Sequence, residues 1–249
     1  MRNFAKDGEY NENTIINLLD KHYYKDLADN WKRHMKRMFP RIKDGDMVYA
    51  HKYEYKDAKP DIVIEVNNKR IMLSIKSGHA PVMHYESVYT FYQFLRSLGV
   101  PQRIMDIISF YHYGYKMNTG KYFATLTREE ILRRYPEEIK EVNDYFDRND
   151  AIVTQIMHRA IVRGRIEKRD LIDFFYYGNP AKGFLLSLGD IYHLIIDTKN
   201  NTTETLCFKQ LTYVVAARDP LDSRHHNLKI HWPILCKYFY DEEFMKKFG

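Results

Sequence analysis

The stretch from Asp61 to Lys76 constrains the fold of this chain more than any other. It reads as two short strands joined by Asn67 and Asn68, residues that tolerate positive φ angles and therefore favour a type I′ turn. Pairing Val66 with Lys69 sets the register of all other pairs. One face of the hairpin is then wholly apolar and is predicted to be core, because successive side chains of a strand alternate between faces. The residues of that face are Ile62, Ile64, Val66, Ile71, Leu73 and Ile75.

The opposite face of the hairpin is polar at one end. Asp61 is expected opposite Ser74, and Lys76 follows on the same face. Glu65 shares this face but lies roughly 13 Å from Asp61 along the strand. We therefore expect Glu65 to pair with Arg70 in a structural role. An acid and a lysine held together at the end of a buried hairpin are typical of a catalytic site that uses a metal ion.

The spacing of these residues resembles the PD-(D/E)xK nuclease superfamily. Pro60 and Asp61 match the first half of its motif, and Ser74-Ile75-Lys76 match the second half, with Ser74 in place of the usual Asp or Glu. The resemblance implies an α/β fold, with a restriction-endonuclease-like mixed sheet flanked by helices. It also implies an enzyme that hydrolyses double-stranded DNA, similar to the small type II restriction endonucleases that cut four-base sites.

The resemblance further implies a divalent metal ion, Mg²⁺ with Mn²⁺ as a substitute, bound by Asp61 and the carbonyl oxygen of Ile75. Lys76 would position the attacking water or stabilise the charge that develops on the phosphate. Ser74 can offer a hydroxyl but brings no negative charge. The catalytic set therefore lacks one carboxylate, which another part of the chain would have to supply.

Glu12 and Glu86 are the candidates for this missing catalytic carboxylate. Glu12 belongs to an amphipathic helix predicted over residues 9–24, and the superfamily often places a helix Glu beside the metal. An alternative role for Glu12 is to complement the positive end of the helix dipole. Glu86 falls in the first turns of a helix predicted over residues 81–98, just beyond the strand of Lys76, and is expected to bind the metal.

The whole chain, residues 1–249, is expected to form a single nuclease domain. Its core would comprise about residues 1–98 and 189–235, with a helical elaboration at about 100–185. A capping box at Thr127 and Glu130 and a break at Pro136 help to delimit the helices. The other predicted helices are 29–39, 102–113, 127–135, 136–148 and 151–162. The other predicted strands are 47–55, 190–197, 204–217 and 228–232.

Basic and amide side chains in the second half of the chain are candidates for DNA contacts. A basic cluster around Arg163 and Arg165 is expected to contact phosphates, although a solvated charged surface is the common alternative. A predicted strand and the loop after it carry donors suited to base edges in the major groove. These base-reading candidates are Lys209, Gln210, Arg218, Arg224 and His225.

Composition favours an anionic partner and narrows the class of protein. The net charge is +6 and the pI is about 9.0, which is typical of nucleic-acid binding. No apolar run is long enough to cross a bilayer, and two cysteines do not make a disulfide framework. We therefore expect a cytoplasmic protein without a membrane partner, as a monomer or a homodimer. The serine at position 74 favours one alternative, a catalytically decayed nuclease-fold module that still binds nucleic acid.

Overall fold

The computed structural model describes residues 4–55, 58–78, 81–114, 126–164, 171–198, 204–217, 219 and 221–249. Its helices are α1 Phe4–Leu19, α2 Asp29–Met38, α3 Val88–Ser97, α4 Gln102–Tyr113, α5 Arg128–Arg134, α6 Pro136–Asp147, α7 Asp150–Met157, α8 Leu188–Ile196, α9 Leu235–Tyr238 and α10 Glu242–Phe248. Its strands are β1 His22–Tyr23, β2 Met47–Lys52, β3 Ile62–Val66, β4 Lys69–Lys76, β5 Val82–Ser87, β6 Phe174–Gly178, β7 Gly183–Ser187, β8 Cys207–Phe208, β9 Leu211–Val215 and β10 Asn227–His231. A 3₁₀ helix spans Tyr24–Asp26 and a π-helix spans His158–Val162.

The chain divides into two compact units. The first comprises Met1–Pro81, Ile161–Ile191 and Ile234–Gly249, and the second comprises Val82–Ala160 and Tyr192–Pro233. The prediction of a single nuclease domain over residues 1–249 stays a prediction. Over the part of the chain that the structure describes, no helix is both long enough and apolar enough to cross a membrane.

The first unit is built on a mixed sheet. Within the described residues, this sheet has six strands in the order β1-β2-β3-β4-β6-β7, antiparallel except for the parallel pair of β4 and β6. Helices α1 and α2 bury their apolar faces against it, with Ile15 from α1 and Trp31 from α2 in the same core as Ile64. The predicted α/β class, with a mixed sheet flanked by helices, is therefore confirmed.

The hairpin of β3 and β4 has the predicted register. Val66 pairs with Lys69 and Glu65 pairs with Arg70. The turn residues Asn67 and Asn68 have φ angles of 48° and 62°, as a type I′ turn requires. The apolar face predicted for this hairpin lies in or against the core of the first unit. Local turn chemistry and alternation are thus sufficient to specify this part of the fold.

The second unit is built on an antiparallel sheet. Its described strands are ordered β5-β10-β9-β8, and α3 to α7 belong to the same unit. Its core contains a cluster of aromatic rings, in which the ring centroid of Phe208 lies 5.7 Å from that of Phe91 and 4.7 Å from that of Phe146. Helix α4 has its predicted bounds, and the capping box of Thr127 and Glu130 is confirmed at the start of α5.

The helix predicted over residues 81–98 is wrong in its first third. Val82–Ser87 forms β5, which pairs with β10. The helix α3 begins only at Val88, after Ser87 caps it by accepting a hydrogen bond from the Thr90 N–H at 3.1 Å. The strand β10 that stabilises β5 lies more than a hundred residues further along the chain, so a local pattern does not reveal it.

The predicted helical stretch at 100–185 is wrong at its end, and the strand predicted at 190–197 is wrong as well. Residues 174–178 and 183–187 are β6 and β7 of the six-stranded sheet. Residues 188–196 form α8, in which Ile191 and Ile195 are buried four residues apart, at helical spacing. The first helix also ends earlier than predicted, at Leu19 instead of about residue 24, before Lys21 with its φ of 58°.

Candidate functional site

Asp61 lies immediately before β3, between β2 and β4. Its backbone N–H donates to the carbonyl oxygen of Leu73 at 2.9 Å, and its carbonyl oxygen accepts from the N–H of Tyr53 at 3.0 Å. The neighbouring pairs of these strands are Lys52 with Ile62 and Ile62 with Leu73. The backbone of Asp61 is therefore held from both sides, which fixes the direction of its side chain.

One carboxylate oxygen of Asp61 receives three hydrogen bonds. Oδ2 accepts from the Ser74 hydroxyl at 2.9 Å, from the Ile75 backbone N–H at 2.6 Å and from the Lys76 ammonium at 3.2 Å. No described residue donates to Oδ1. The predicted grouping of Asp61, Ser74 and Lys76 is confirmed, and it leaves one oxygen of a largely buried carboxylate open to a ligand.

The ammonium of Lys76 lies against both groups that are predicted to bind a metal. Besides Asp61, it donates to the carbonyl oxygen of Ile75 at 2.9 Å. The side chains of Asp61 and Lys76 are 20% and 28% exposed, so both are reachable from solvent. A carboxylate, a hydroxyl and a carbonyl are the hard oxygen ligands that Mg²⁺ prefers, and the residues present therefore fit this ion.

The site has few charged ligands of its own. Among the described residues, no group of three or more His, Cys, Asp and Glu side chains is placed to hold a metal ion. A metal at Asp61 would thus depend on the Ser74 hydroxyl, the Ile75 carbonyl and water, because Ser74 brings no charge. A second carboxylate close by would strengthen such a site considerably.

Glu12 is within electrostatic reach of Asp61. Its side chain lies half-buried on α1, and burial raises its pKa, with the negative charge of Asp61 raising the pKa further. Lys76 and Lys52 act in the opposite direction and lower the pKa of Glu12. Glu12 therefore feels the charge of Asp61. It also lies more than two turns inside α1, which begins at Phe4, so the alternative role at the positive end of the helix dipole is not met, while its role as the second carboxylate stays a prediction.

Glu86 lies in a different setting from the one expected. It belongs to strand β5, not to a helix, and its side chain is fully buried. Arg159 donates to both of its oxygens, at 2.9 and 2.7 Å, and His84 contacts the first of them at 2.8 Å. The geometric reason for choosing Glu86, a helix starting just beyond Lys76, is thus wrong, while its role as a metal ligand stays a prediction.

Burial and hydrogen bonding act in opposite directions on Glu86. Burial raises the pKa of its carboxyl, but hydrogen bonds from Arg159 and His84 outweigh that effect and lower the pKa to about 2. The Arg159 guanidinium also stands 4.5 Å from the centroid of the Phe94 ring. Glu86 and Arg159 thus form a buried ion pair that connects β5 to the π-helix.

Of the two arginines predicted to contact phosphates, Arg163 belongs to the described residues. Arg163 is half-buried. The next residue, Gly164, has a φ of 72° and lies against the Lys59 side chain, so that a Cβ atom at position 164 would be 3.5 Å from the side-chain carbons of Lys59. Lys59 comes two residues before Asp61, so this backbone lies beside the start of the motif. Arg165 and Arg218 lie outside the described residues.

Two of the base-reading candidates are held in positions that do not suit that role. Lys209 is not on a strand but in the turn between β8 and β9, with a φ of 53°, and its side chain is 5% exposed. Its ammonium pairs with Asp150 at 2.6 Å and donates to the Ile196 carbonyl. His225 is buried as well. The sequence could not reveal these burials, because both depend on distant partners.

The remaining base-reading candidates are more accessible. Arg224 is 59% exposed and forms a two-bond pair with Asp222, at 3.0 and 2.6 Å. Gln210, predicted on a strand, lies in the same turn as Lys209 and is half-buried. A surface pair such as that of Arg224 is weak, so this side chain can exchange its partner for a base edge or a phosphate.

Two tyrosines beside the site were missed from the sequence. Tyr177 on β6 is paired with Lys76 in the sheet, and its hydroxyl donates to the carbonyl oxygen of Gly78. It therefore anchors the loop that follows Lys76. Tyr53 is held against Asp61 by the backbone hydrogen bond given above. The run of aromatic residues at 174–177 was a possible signal, because a short apolar run ended by Gly is typical of a buried strand.

Comparison with known proteins adds no family to this description. No protein-family model matches the chain, and no curated protein matches it at a significant level. The inference of function therefore depends on the geometry around Asp61 and on the motif that predicts it.

Proposed function

We propose that this protein is a Mg²⁺-dependent endonuclease that hydrolyses phosphodiester bonds of double-stranded DNA at a short specific sequence, as type II restriction endonucleases do. The observation that carries the proposal is the environment of the Asp61 carboxylate. Three donors converge on Oδ2, while no described residue donates to Oδ1. Oδ1 thus remains accessible to a ligand on a carboxylate that is only 20% exposed and lies beside a lysine, which supports a role in binding.

The chain's own residues can contribute to hydrolysis in distinct ways. In the reaction, a water oxygen attacks phosphorus, the bond from phosphorus to the leaving oxygen breaks, and that oxygen takes up a proton. Lys76 can donate to a non-bridging phosphate oxygen and stabilise its growing charge. Glu12, whose pKa is raised, is suited to accept the proton of the attacking water. A metal held by Asp61 and the Ile75 carbonyl would supply Lewis acidity and lower the pKa of a bound water.

DNA binding by this protein would use basic residues that are at least partly accessible to solvent. Arg163, next to the Gly164 backbone that lies against Lys59, is the candidate for a phosphate contact, and Arg224 is the candidate for a base contact. The net charge of +6 supports attraction to a polyanion. A cytoplasmic location agrees with the free thiols of Cys207 and Cys236, and the protein would act as a monomer or a homodimer.

A digest of methylation-free plasmid DNA tests the proposal directly. With Mg²⁺ or Mn²⁺ the protein should produce discrete fragments whose sequenced ends share a short motif, and EDTA should abolish them. Fragments with random ends would support a nuclease activity without the sequence specificity of a restriction enzyme. Intact plasmid after incubation with folded protein in either metal would contradict the proposal.

The second candidate is a nuclease-fold module that binds nucleic acid without cutting it. It is favoured by Ser74 and by the lack, among the described residues, of a group of three charged or thiol ligands for a metal. Calorimetry with Mn²⁺ separates the two candidates. Binding that is lost in Asp61→Asn supports the enzyme, whereas no Mn²⁺ binding together with retained DNA binding supports the module.

A further inference from the structure

A row of ring side chains follows strand β2 on the face of the sheet that carries the candidate site. Tyr49 is paired with Glu65 and His51 with Val63, and the same rows continue to Arg70 and Met72 on β4. Ser74 and Lys76 follow on that face of β4 by alternation. The rings of Tyr49 and His51 therefore share a face with Ser74 and Lys76.

The row continues to Asp61 itself. The N–H of Tyr53 donates to the Asp61 carbonyl at 3.0 Å, which extends the register of β2 and β3 by one residue beyond Lys52. Tyr53 is thus two residues beyond His51 and next to the candidate catalytic acid. We call Tyr49, His51 and Tyr53 the β2 ring row. Its far end, Tyr49, lies roughly 13 Å along the strand from Tyr53.

Tyr49 and His51 of the β2 ring row lie on the exposed margin of this face, whereas Tyr53 is half-buried. Tyr49 is 48% exposed and His51 is exposed, whereas Val63 and Met72 on the inner strands are buried. Beyond Val48, no described strand pairs with the outer side of β2, since β1 reaches only Met47 and Val48. Rings that follow one another on one face form a patch, and such patches mark interaction sites, whereas rings that are exposed singly do not.

Strand addition by a partner protein is disfavoured as that use. It would require the free backbone donors of the β2 edge, but the N–H of Ala50 is already bound to the Asp20 carboxylate at 3.1 Å. The exposed side chains of Tyr49 and His51 offer a second kind of binding surface. Residues two positions apart on a strand have Cα atoms roughly 6.6 Å apart. This spacing leaves room for each ring to receive a separate nucleobase, as in sheet platforms that bind single-stranded nucleic acid.

We propose that the β2 ring row stacks the bases of an unpaired nucleic-acid strand whose phosphate lies at Asp61. This inference rests on the proposed function, and it specifies the substrate further: DNA in which one strand is locally unpaired next to the cleaved bond. Tyr53 would stack the base nearest the site, and His51 and Tyr49 the next ones. Tyr55, 58% exposed with its ring 5.7 Å from that of Tyr53, extends the surface on the other side.

Binding measurements with an abasic probe test the stacking. In Ca²⁺, fluorescence anisotropy would compare a labelled oligothymidylate with an oligomer of the same length whose sugars carry no base. Wild-type protein should bind the oligothymidylate about 10-fold or more tightly than the abasic probe, because stacking contributes at each base. Equal binding of both probes would overturn the proposal without any variant. An oligouridylate arm shows whether the strand has to be DNA.

Substitutions locate the effect on the protein. Tyr49→Leu should weaken binding of oligothymidylate about 5- to 100-fold and leave the abasic probe unchanged, while Tyr49→Phe should bind like wild type. The matched control is Tyr89→Leu, at a tyrosine that is 74% exposed on α3, and it should have no effect. Loss of binding to both probes in Tyr49→Leu would overturn the stacking role, as would a change of oligomeric state in gel filtration, which would assign the row to contact with a second copy.

The outcome is separable from that of the proposed nuclease activity. Binding in Ca²⁺ requires no cleavage, so a protein that never cuts DNA can still show the difference between the two probes. Conversely, the Tyr49→Leu and Tyr53→Leu variants could cut DNA at the wild-type rate, on duplex and on locally unpaired substrates alike. That result would leave the proposed nuclease activity standing and overturn the stacking role of the β2 ring row.

Discussion

Asp61 in the first unit and Glu86 in the second unit are both carboxylates that meet cationic side chains, but they differ in what remains available. Asp61 receives all three of its donors on one oxygen and is 20% exposed. Arg159 donates hydrogen bonds to both carboxylate oxygens of Glu86, and His84 contacts one of them. The Glu86 side chain has no exposed surface. The first can bind a ligand as it stands, whereas the second would first have to give up a buried ion pair.

This difference teaches how the same chemical group is assigned to function or to stability. A buried charge is tolerated only when its partners replace the water it has lost, and Glu86 meets that condition completely. Asp61 meets it on one oxygen only, and Lys76, one of the three donors to that oxygen, is itself partly exposed. An acid near a lysine in the sequence is therefore a weak signal until the number of satisfied oxygens is known.

The largest expected effect is at Asp61. Asp61→Asn should lower the rate of DNA cleavage about 1,000-fold or more, because a neutral amide removes about 4 kcal/mol or more of metal-dependent transition-state stabilisation. Thermal unfolding and DNA binding should stay close to wild type. Glu65→Gln, on the same face in an exposed pair with Arg70, is the matched control and should cut normally. Near-native cleavage by Asp61→Asn would remove this residue from the mechanism.

The next effect is on stability, at Glu86. Glu86→Gln should lower the free energy of unfolding by about 3–5 kcal/mol, because it leaves the charge of Arg159 buried without a partner. Urea unfolding measures the change, and Glu65→Gln should cost no more than about 1 kcal/mol in the same assay. The double variant Glu86→Leu/Arg159→Met should recover part of the loss. A Glu86→Gln protein of unchanged stability that no longer cuts DNA would reverse the comparison between the two carboxylates.

The two units should respond to acid in different pH ranges. His34 is buried among Trp31 and Tyr176, and burial, followed by the charges of Arg37 and Arg33, lowers its pKa to about 4. Since the unfolded chain binds this proton more readily, the stability held by neutral His34 is present above about pH 6.5 and lost as the pH falls towards 4. The loss is on the order of 3 kcal/mol.

Glu86 should act at lower pH, with the corresponding sign for an acid. Its folded pKa of about 2 lies below the ordinary value of 4.5, so its contribution is present above about pH 4.5 and lost as the pH falls towards 2. In a plot of the free energy of unfolding against pH, the slope between pH 6.5 and 4 should disappear in His34→Phe. The slope between pH 4.5 and 2 should disappear in Glu86→Gln. An unaltered slope between pH 6.5 and 4 in His34→Phe would show that His34 is not the titrating group.

A smaller effect is expected at Glu12. Glu12→Gln should lower cleavage about 10- to 100-fold, less than Asp61→Asn, because it removes a proton acceptor or a supporting charge but not the main ligand. Glu9→Gln provides a close control, since Glu9 lies on the same helix, is 64% exposed and pairs with Lys52. Equal rates for the Glu12 and Glu9 variants would leave Asp61 as the only described carboxylate of the site.

The parts of the fold that the sequence predicted correctly are those stabilised within a short stretch of chain. The Asn67-Asn68 turn, the register from Val66 and Lys69, and the capping box of α5 all depend on residues no more than about fifteen positions apart. The pairing of Glu65 with Arg70 at 2.9 Å follows from the same register. Local sterics and alternation are sufficient at these places because no distant partner competes.

The errors occur where an element depends on a distant partner. β5 resembles the start of a helix until β10 pairs with it, and β6 becomes the parallel neighbour of β4 only after a crossover of about a hundred residues. Glu86 and Lys209 carry charged side chains of the kind found at functional sites, yet both are buried and paired, Glu86 with Arg159 and Lys209 with the exposed carboxylate of Asp150. A local pattern contains no information on such partners.

By itself, the sequence determined the hairpin, its buried face and the meeting of Asp61, Ser74 and Lys76 at one end of the polar face. Only the tertiary structure decided that Glu12 shares the field of Asp61, that Glu86 is committed to Arg159 and that the rings of β2 lie on the face of the site. The physical reason is that alternation along a strand is set by neighbouring residues, whereas burial and charge pairing are set by whatever the folded chain brings alongside.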